Sequence, residues 1–498
     1  MFQHLKQHWK SDLLAGFMVS VLALPLCLGI AKASGFPPVM GVFSAILGGI
    51  IPLFFSPSES AIKGPAAGLI TICAATLTDL GGGEQGWMLI SAAIVVMSLF
   101  QMALGIFRLG GIADFFPRPV VQGLLSAIGL IIVAKQLPVL LGLPPEPFAT
   151  LSPLETFFTV FTQLSKVHLT LLPIGLFSLI VMFLIPWLGW KKVPAPLVVL
   201  LFVIPWSMIQ PLHHLPDALV QIGNPWDSLQ WRADFSGLLL PLFWKGVFIL
   251  WFVSSLESVL VLKAVDQLDP WKRESPLNGD LIAQGASNFV SGWLGGLPVI
   301  SEVLRSSVSL HTGGRTRWAN AFHALFLFLA ICFCVPLLEK IPNAALAAML
   351  IFAGYRLASP QHFKTVYKMG WSPFLVFLVT VFLTLSFDLL YGVAIGMLLK
   401  FVFHLAQGAR LKDLFRVQMS LRTEGSTAYL SLSGAAAFTN IYMFKKKLQI
   451  AKEVKRLHVD AEHLYFKDHS FLQFFALQQK KWEARGVEVI TPPSFLEK

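Results

Sequence analysis

Apolar runs recur from residue 13 to residue 405, and they leave few folds open to this chain. They fall at Leu13–Ile30, Pro38–Phe55, Trp87–Phe107, Val120–Leu143, Leu171–Trp190, Pro196–Ile209, Leu238–Leu262, Leu281–Leu297, Ala319–Leu338, Ala344–Leu357, Pro373–Phe387 and Leu389–Leu405. Two interrupted segments, Gly64–Thr78 and Leu294–Thr316, raise the expectation to about fourteen membrane segments, given that about 20 apolar residues cross a bilayer. In hydrocarbon every backbone N–H and C=O must bond internally, so such runs are read as helices. The composition agrees: 55% of the residues are hydrophobic and only 13% are charged, against about a quarter charged in a soluble chain. The expected fold is an all-α polytopic membrane protein.

The net charge of +11 is therefore read as cytoplasmic loops obeying the positive-inside rule, with no nucleic-acid partner implied. Cys27, Cys73, Cys332 and Cys334 all lie in apolar runs. They are read as small core residues, with no disulfide framework or zinc site. The basic N-terminus MFQHLKQHWKSD precedes the first run without a cleavage signal, which predicts a retained span and a cytoplasmic N-terminus.

The two interrupted segments carry the functional expectation. Gly64-Pro65-Ala66-Ala67-Gly68 opens one and Gly295-Gly296-Leu297-Pro298 opens the other. Each is the third segment of its half, after two longer spans. Broken helices at matching positions point to an inverted-repeat transporter and to its binding site. The run Val299–Leu310 is too short and too charged for a span of its own. A short helix there would offer free N–H groups and a positive dipole end to an anion, with Arg305 adding a full charge. The plainer alternative is a cytoplasmic loop with Arg305 solvated, but charges inside spans are rare and usually functional.

Glu257 sits in FILWFVSSLESVLVL, apolar on both sides. A bare carboxylate there costs several kcal/mol unless paired, hydrated or neutralised. Glu257 is therefore a candidate coupling residue for a proton or a sodium ion. The alternative is a structural carboxylate bonded to Ser254, Ser255 or Ser258. Glu302 and Arg305 are three residues apart, so they share a helix face and could pair. Lys263 and Asp266 read as interfacial, and Lys135, Gln136, Asp388, His323 and His404 carry no assignment. No motif of a hydrolase, a metalloprotease or a P-loop enzyme is present, so the chain is not read as an enzyme and no cofactor is expected.

Beyond residue 406 charges return. TAYLSLSGAAAF, RLHVDAEHLYF and VEVI read as strands and SFLQFFALQQKKWEARG as a helix ended by Gly486. Strand and helix alternating in this way predict a small cytoplasmic α/β domain over 407–498.

The segments DLLAGFMVSVLALPLCLGIAKASGFPPVMGVFSAILGG, FRLGGIADFFPRPVVQGLLSAIGL, SLESVLVLKAVDQLD and LIAQGASNFVSGWLGGLPVISEVLRSSVSLHTGGRT together resemble the SulP family of anion transporters. The tail resembles a short STAS domain. The resemblance implies seven plus seven inverted spans in a core and a gate domain, here repeats 12–212 and 236–406 within a transmembrane domain of residues 1–406, and a homodimer. It places a small inorganic anion between the third and tenth segments, at Ala66, Ala67, Gly68, Val299, Ile300, Ser301, Glu302 and Arg305. It places the coupling acid at Glu257. On charge alone Glu302 is a second cation-coupling candidate, because an anion near two carboxylates is repelled until one is neutralised, and a sodium ion near Glu257 is the one metal considered.

Similarity to bacterial members suggests bicarbonate, or else sulfate, moved by symport with sodium or protons across the bacterial inner membrane, with both termini cytoplasmic. An anion channel and a same-fold nucleobase or dicarboxylate permease are the alternatives. Three departures stand out: Leu26 where many relatives carry glutamine, Glu302 where they carry a small or apolar residue, and Asp468-His469-Ser470-Phe471 where a phosphorylatable D-S-x-G would lie. The last argues against phosphoregulation at Ser470.

Overall fold

The computed structural model describes residues 2–55, 58–111, 116–144, 146–148, 151–190, 193–210, 212–215, 217–387, 389–414, 418–441, 443–444, 454–492 and 495. Asp388 and the Lys445-Lys446-Lys447 run of the tail lie outside them. The first half supplies α1 (Phe2–Ala33), α2 (Pro38–Ile50), strand β1 (Lys63–Pro65), α3 (Ile70–Asp79), α4 (Gly83–Ile106), α5 (Arg118–Leu140), α6 (Leu171–Trp187) and α7 (Ala195–Ile209). The second half supplies α8 (Pro241–Leu268), α9 (Leu277–Trp293), β2 (Val299–Ser301), α10 (Val303–His311), α11 (Trp318–Phe333), α12 (Asn343–Leu357), α13 (Trp371–Ser386) and α14 (Leu389–Ala406). Two further helices, Pro153–Thr162 and Pro360–Lys368, and several short helical turns fill the connections. In each half the third helix is the short one, and a three-residue strand leads into it.

Among the described residues, six helices are long and apolar enough to cross a membrane: α1, α2 with its extension to Phe55, α4, α5, α8 and α14. Five shorter apolar helices, in α3, α6, α7, α11 and α13, complete the apolar set. Large apolar side chains such as Phe54, Ile106, Trp187, Ile209 and Phe333 stand exposed on these helices and their ends. An exposed apolar girdle of this extent marks a lipid-facing surface.

The chain forms two compact units, one of residues 1–110 and 128–358, the other of 111–127 and 359–498. In the first, α1 packs on α2 and α11, and α4 packs on α9 along small residues that include Ser98, Gly285 and Gly292. Small residues let helix backbones approach closely where lipid supplies no hydrophobic drive. In the second, Ala127, Val366, Phe377 and Val381 form one core, and the tail forms another. The tail's strands are β3 (Gln418–Glu424), β4 (Thr427–Ala436), β5 (Arg456–Lys467) and β6 (Glu488–Ile490), with α15 (His469–Ala484) before β6.

The tail's sheet order is β3-β4-β5-β6. β3 is antiparallel to β4, and the other two pairings are parallel. α15 supplies the crossover that a parallel β5–β6 pair requires. Leu430, Phe438, Leu457, Phe471 and Phe475 fill the core beneath the sheet, and Phe401 of α14 packs against them.

Two details differ from the sequence expectation. Cys27 and Cys73 are buried, but Cys332 is exposed and Cys334 half-buried. Both lie near the end of α11, where the helix surface turns outward. Strand β3, whose residues alternate weakly and are mostly exposed, was not expected.

Candidate functional site

The two interrupted segments meet. β1 and β2 pair antiparallel, with Lys63 opposite Ser301, Gly64 opposite Ile300 and Pro65 opposite Val299. The pairing extends at one end, where the Glu302 N–H donates to Ile62 O at 3.0 Å. Segments more than 230 residues apart thus satisfy each other's backbone at depth, which non-helical chain inside a membrane protein requires.

α9 completes that bonding with a polar face. Asn288 Oδ1 accepts from the Val299 N–H at 2.5 Å, and Gln284 Nε2 donates to Val299 O at 2.8 Å. Ser291 Oγ donates to Leu297 O and the Leu297 N–H donates to Ser44 Oγ, both at 2.7 Å.

Arg305 lies fully buried in the first turn of α10. Its Nη2 donates to Pro65 O at 3.1 Å and to Cys27 Sγ at 3.4 Å. Its Nε lies 2.9 Å from Glu302 Oε2, but off the donor's line, so neither atom counts as hydrogen-bonded. Nη1 likewise has no acceptor among the described residues. It lies against Gly64: a Cβ added there would fall well inside van der Waals contact of Nη1.

Glu257, from the middle of α8, stands in the same relation to the other broken segment. A Cβ added at Gly68 would collide with both of its carboxylate oxygens. Glu257 is buried, and Oε2 has no hydrogen-bond partner among the described residues. The neighbouring Ser258 Oγ is engaged by Gln284 Nε2, and Ser254 Oγ donates to Trp251 O. The crossing therefore holds the guanidinium of Arg305 and the carboxylate of Glu257, each with an unbonded atom and each against a glycine, together with the second carboxylate of Glu302.

Ala66, Ala67, Gly68, Val299, Ile300, Ser301, Glu302 and Arg305 all lie at this crossing, with Glu257 beside it. All are buried except Glu302, whose side chain is 16% exposed. Ser301 turns away from the others, its Oγ donating to Asp280 Oδ2 at 3.4 Å. His323 is buried on α11 with neither ring nitrogen bonded among the described residues.

Sequence reasoning passed over Lys63, Asp280, Gln284 and Asn288. A signal for them existed: Asp280, Gln284 and Asn288 recur every four residues on one helix face. Lys63 is the lone charge directly before Gly64-Pro65.

The loop after α10 is tied down separately. Asp12 Oδ1 accepts from the N–H groups of Arg315 and Thr316 at 2.7 and 3.1 Å. Arg317 Nη2 donates to Glu59 Oε1 at 2.7 Å. Partial burial would raise the Glu59 carboxyl, but the hydrogen bonds from Arg317 hold it below the usual range.

The model of the sulfate permease family matches residues 9–380. A putative sulfate transporter of Bacillus subtilis, YvdB, is 25% identical over 93% of this chain and 87% of its own length. The bicarbonate transporter BicA of a Picosynechococcus species is 25% identical over 78% of this chain and 68% of its own. Among solved structures, the transmembrane domain of a cyanobacterial bicarbonate transporter BicA superposes with a TM-score of 0.67 at 24% identity. It covers 77% of this chain and 97% of that one. Murine solute carrier 26 family member A9, in an inward-facing state, gives 0.68 at 16% identity over 97% and 85%. These likenesses carry the fold: a mostly helical membrane domain with many apolar helices, followed by a STAS-like α/β tail. The chain spans the membrane several times and belongs to the sulfate permease family.

Proposed function

We propose that this member of an anion-transporter family is a secondary transporter of bicarbonate, or of sulfate, coupled to sodium or protons. The anion binds at the β1–β2 crossing, on Arg305 and the backbone of Ala66–Gly68 and Val299–Glu302. The observation that carries the reading is the pair of buried groups with unbonded atoms, Arg305 Nη1 and Glu257 Oε2, set against Gly64 and Gly68. An anion supplies what the guanidinium lacks. A proton or a sodium ion supplies what the carboxylate lacks.

The transmembrane domain comprises residues 1–406, with halves 12–212 and 236–406, and alternating access comes from its core moving against its gate. Residues 407–498 form the cytoplasmic domain. The protein sits in the bacterial inner membrane as a homodimer, with both termini cytoplasmic. Uptake of labelled bicarbonate, sulfate and a dicarboxylate into proteoliposomes, with and without a sodium or proton gradient, tests the reading. Saturable, gradient-dependent uptake of one of the first two is expected. Unsaturable flux indifferent to both gradients would make it a channel.

A further inference from the structure

A second buried ion pair underlies the crossing, outside the atoms assigned to the anion. Lys63 Nζ lies 2.9 Å from Asp280 Oδ1, with side chains 1% and 0% exposed. The other oxygen of Asp280 accepts from Ser301 Oγ at 3.4 Å. Lys63 and Ser301 are partners in the β1–β2 register, so one carboxylate on α9 is bonded to both members of one strand pair. The backbone of the β1 segment is fixed as well. The Lys63 N–H donates to Asn320 Oδ1 at 3.2 Å, and the Ile62 N–H to Ser306 Oγ at 2.9 Å.

Alternation along a strand sends the next residue, Gly64, to the opposite face, where Arg305 lies. A one-residue slip would put a side chain where only glycine fits. Burying an ion pair adds little to stability over an apolar pair of the same volume, so stability alone gives no reason for charges here.

We propose that Lys63 and Asp280 are a positioning pair for the anion site: Asp280 fixes the register of the two crossing segments, and Lys63 keeps its charge balanced. Neither touches the anion. The inference rests on the anion site being at the crossing. Arg305 keeps its aim only while Gly64 faces it. Lys63→Met takes the ammonium at 2.9 Å from a buried carboxylate, and Asp280→Asn takes the charge of that carboxylate from a buried ammonium, so either change favours a shifted crossing. The double variant removes both charges and both penalties.

The test uses the full chain in proteoliposomes and labelled sulfate or bicarbonate, whichever the unaltered protein carries. Each single variant should raise KM at least about tenfold with Vmax within about threefold. The double variant should stay above the unaltered KM, because Asp280 no longer holds the register, yet fall well below the product of the two singles, because contacting groups are not additive. Folded single variants with unchanged KM, or a double variant as impaired as the product of the singles, would overturn the pair. Where a single variant fails to fold, Asp280→Glu reads the same claim. Moving the carboxylate by one methylene should shift KM, and an unchanged KM overturns it. If the unaltered protein carries neither anion, the functional reading fails instead, which separates the two outcomes.

Discussion

Arg305 is the residue on which the site turns. Its charge is fully buried, its neighbours are mostly apolar or small, and one of its nitrogens has no acceptor among the described residues. A buried cation costs several kcal/mol unless paired, and Glu302 at 2.9 Å pairs it with poor hydrogen-bond geometry. Under the proposed function, an anion at Nη1 would complete the shell. Arg305→Ala should therefore abolish transport or raise KM by at least about two orders of magnitude, the scale of a charge-assisted hydrogen bond lost with its charge. The purified variant should still elute as folded protein. Transport with unchanged affinity would make the charge structural.

Arg305 and Glu257 were legible in sequence because a charge inside an apolar run stands out without any knowledge of the fold. Lys63 was less so. It lies outside the apolar runs, and its meaning depends on Asp280, which is 217 residues away.

At the scale of elements, the broken third helix of each half is what makes a polar site inside a membrane protein tolerable in backbone terms. β1 and β2 are each three residues long and take their partners from each other, and α9 bonds what remains. The interruption could be read from Gly64-Pro65 and Gly295-Gly296-Leu297-Pro298. The strand pairing could not, because such short strands have no period long enough to register and their contacts are entirely non-local.

The same geometry makes a prediction at Gly68. A methyl there must displace the Glu257 carboxylate, so Gly68→Ala should weaken the dependence of uptake on the driving cation more than it lowers the amount of folded protein. Uptake measured over a range of sodium and proton gradients checks this. A variant with unaltered cation dependence would mean that Glu257 is not held by that contact.

At the scale of the whole molecule, the last helix and the tail form one unit, and a buried charge cluster helps to join them. Asp468, at the start of α15, lies 2.9 Å from Lys400 Nζ and 3.2 Å from His404 Nε2, both on α14. The His404 ring packs against Phe438 and Phe466. Burial would raise the Asp468 carboxyl, but Lys400 and His404 outweigh it and hold it well below the ordinary range.

Because the folded-state value is depressed, the stabilisation is fully present above the unfolded-state value of 3.8 and is lost as pH falls through the folded one. Asp468→Asn leaves Lys400 buried without its partner and should destabilise the tail by about 3–5 kcal/mol at neutral pH. The gap to the unaltered protein should narrow below about pH 4. Hydrogen exchange of the β5 and α15 amides measures both, and equal protection at neutral pH would contradict the cluster's role. The order of strand and helix in the tail was readable from alternation and from the stop at Gly486. The docking of Asp468 was not, because its partners Lys400 and His404 lie 68 and 64 residues away on α14.

Cation coupling is the centre of the account, and it has one direct measurement: anion affinity against pH and sodium concentration, for the native protein and for Glu257→Gln. An anion near two carboxylates is repelled until one is neutralised, so cation and anion should each raise the other's affinity. The native affinity should rise with proton or sodium concentration, and that dependence should vanish in Glu257→Gln and shift in Glu302→Gln. Native binding indifferent to both pH and sodium would contradict the account.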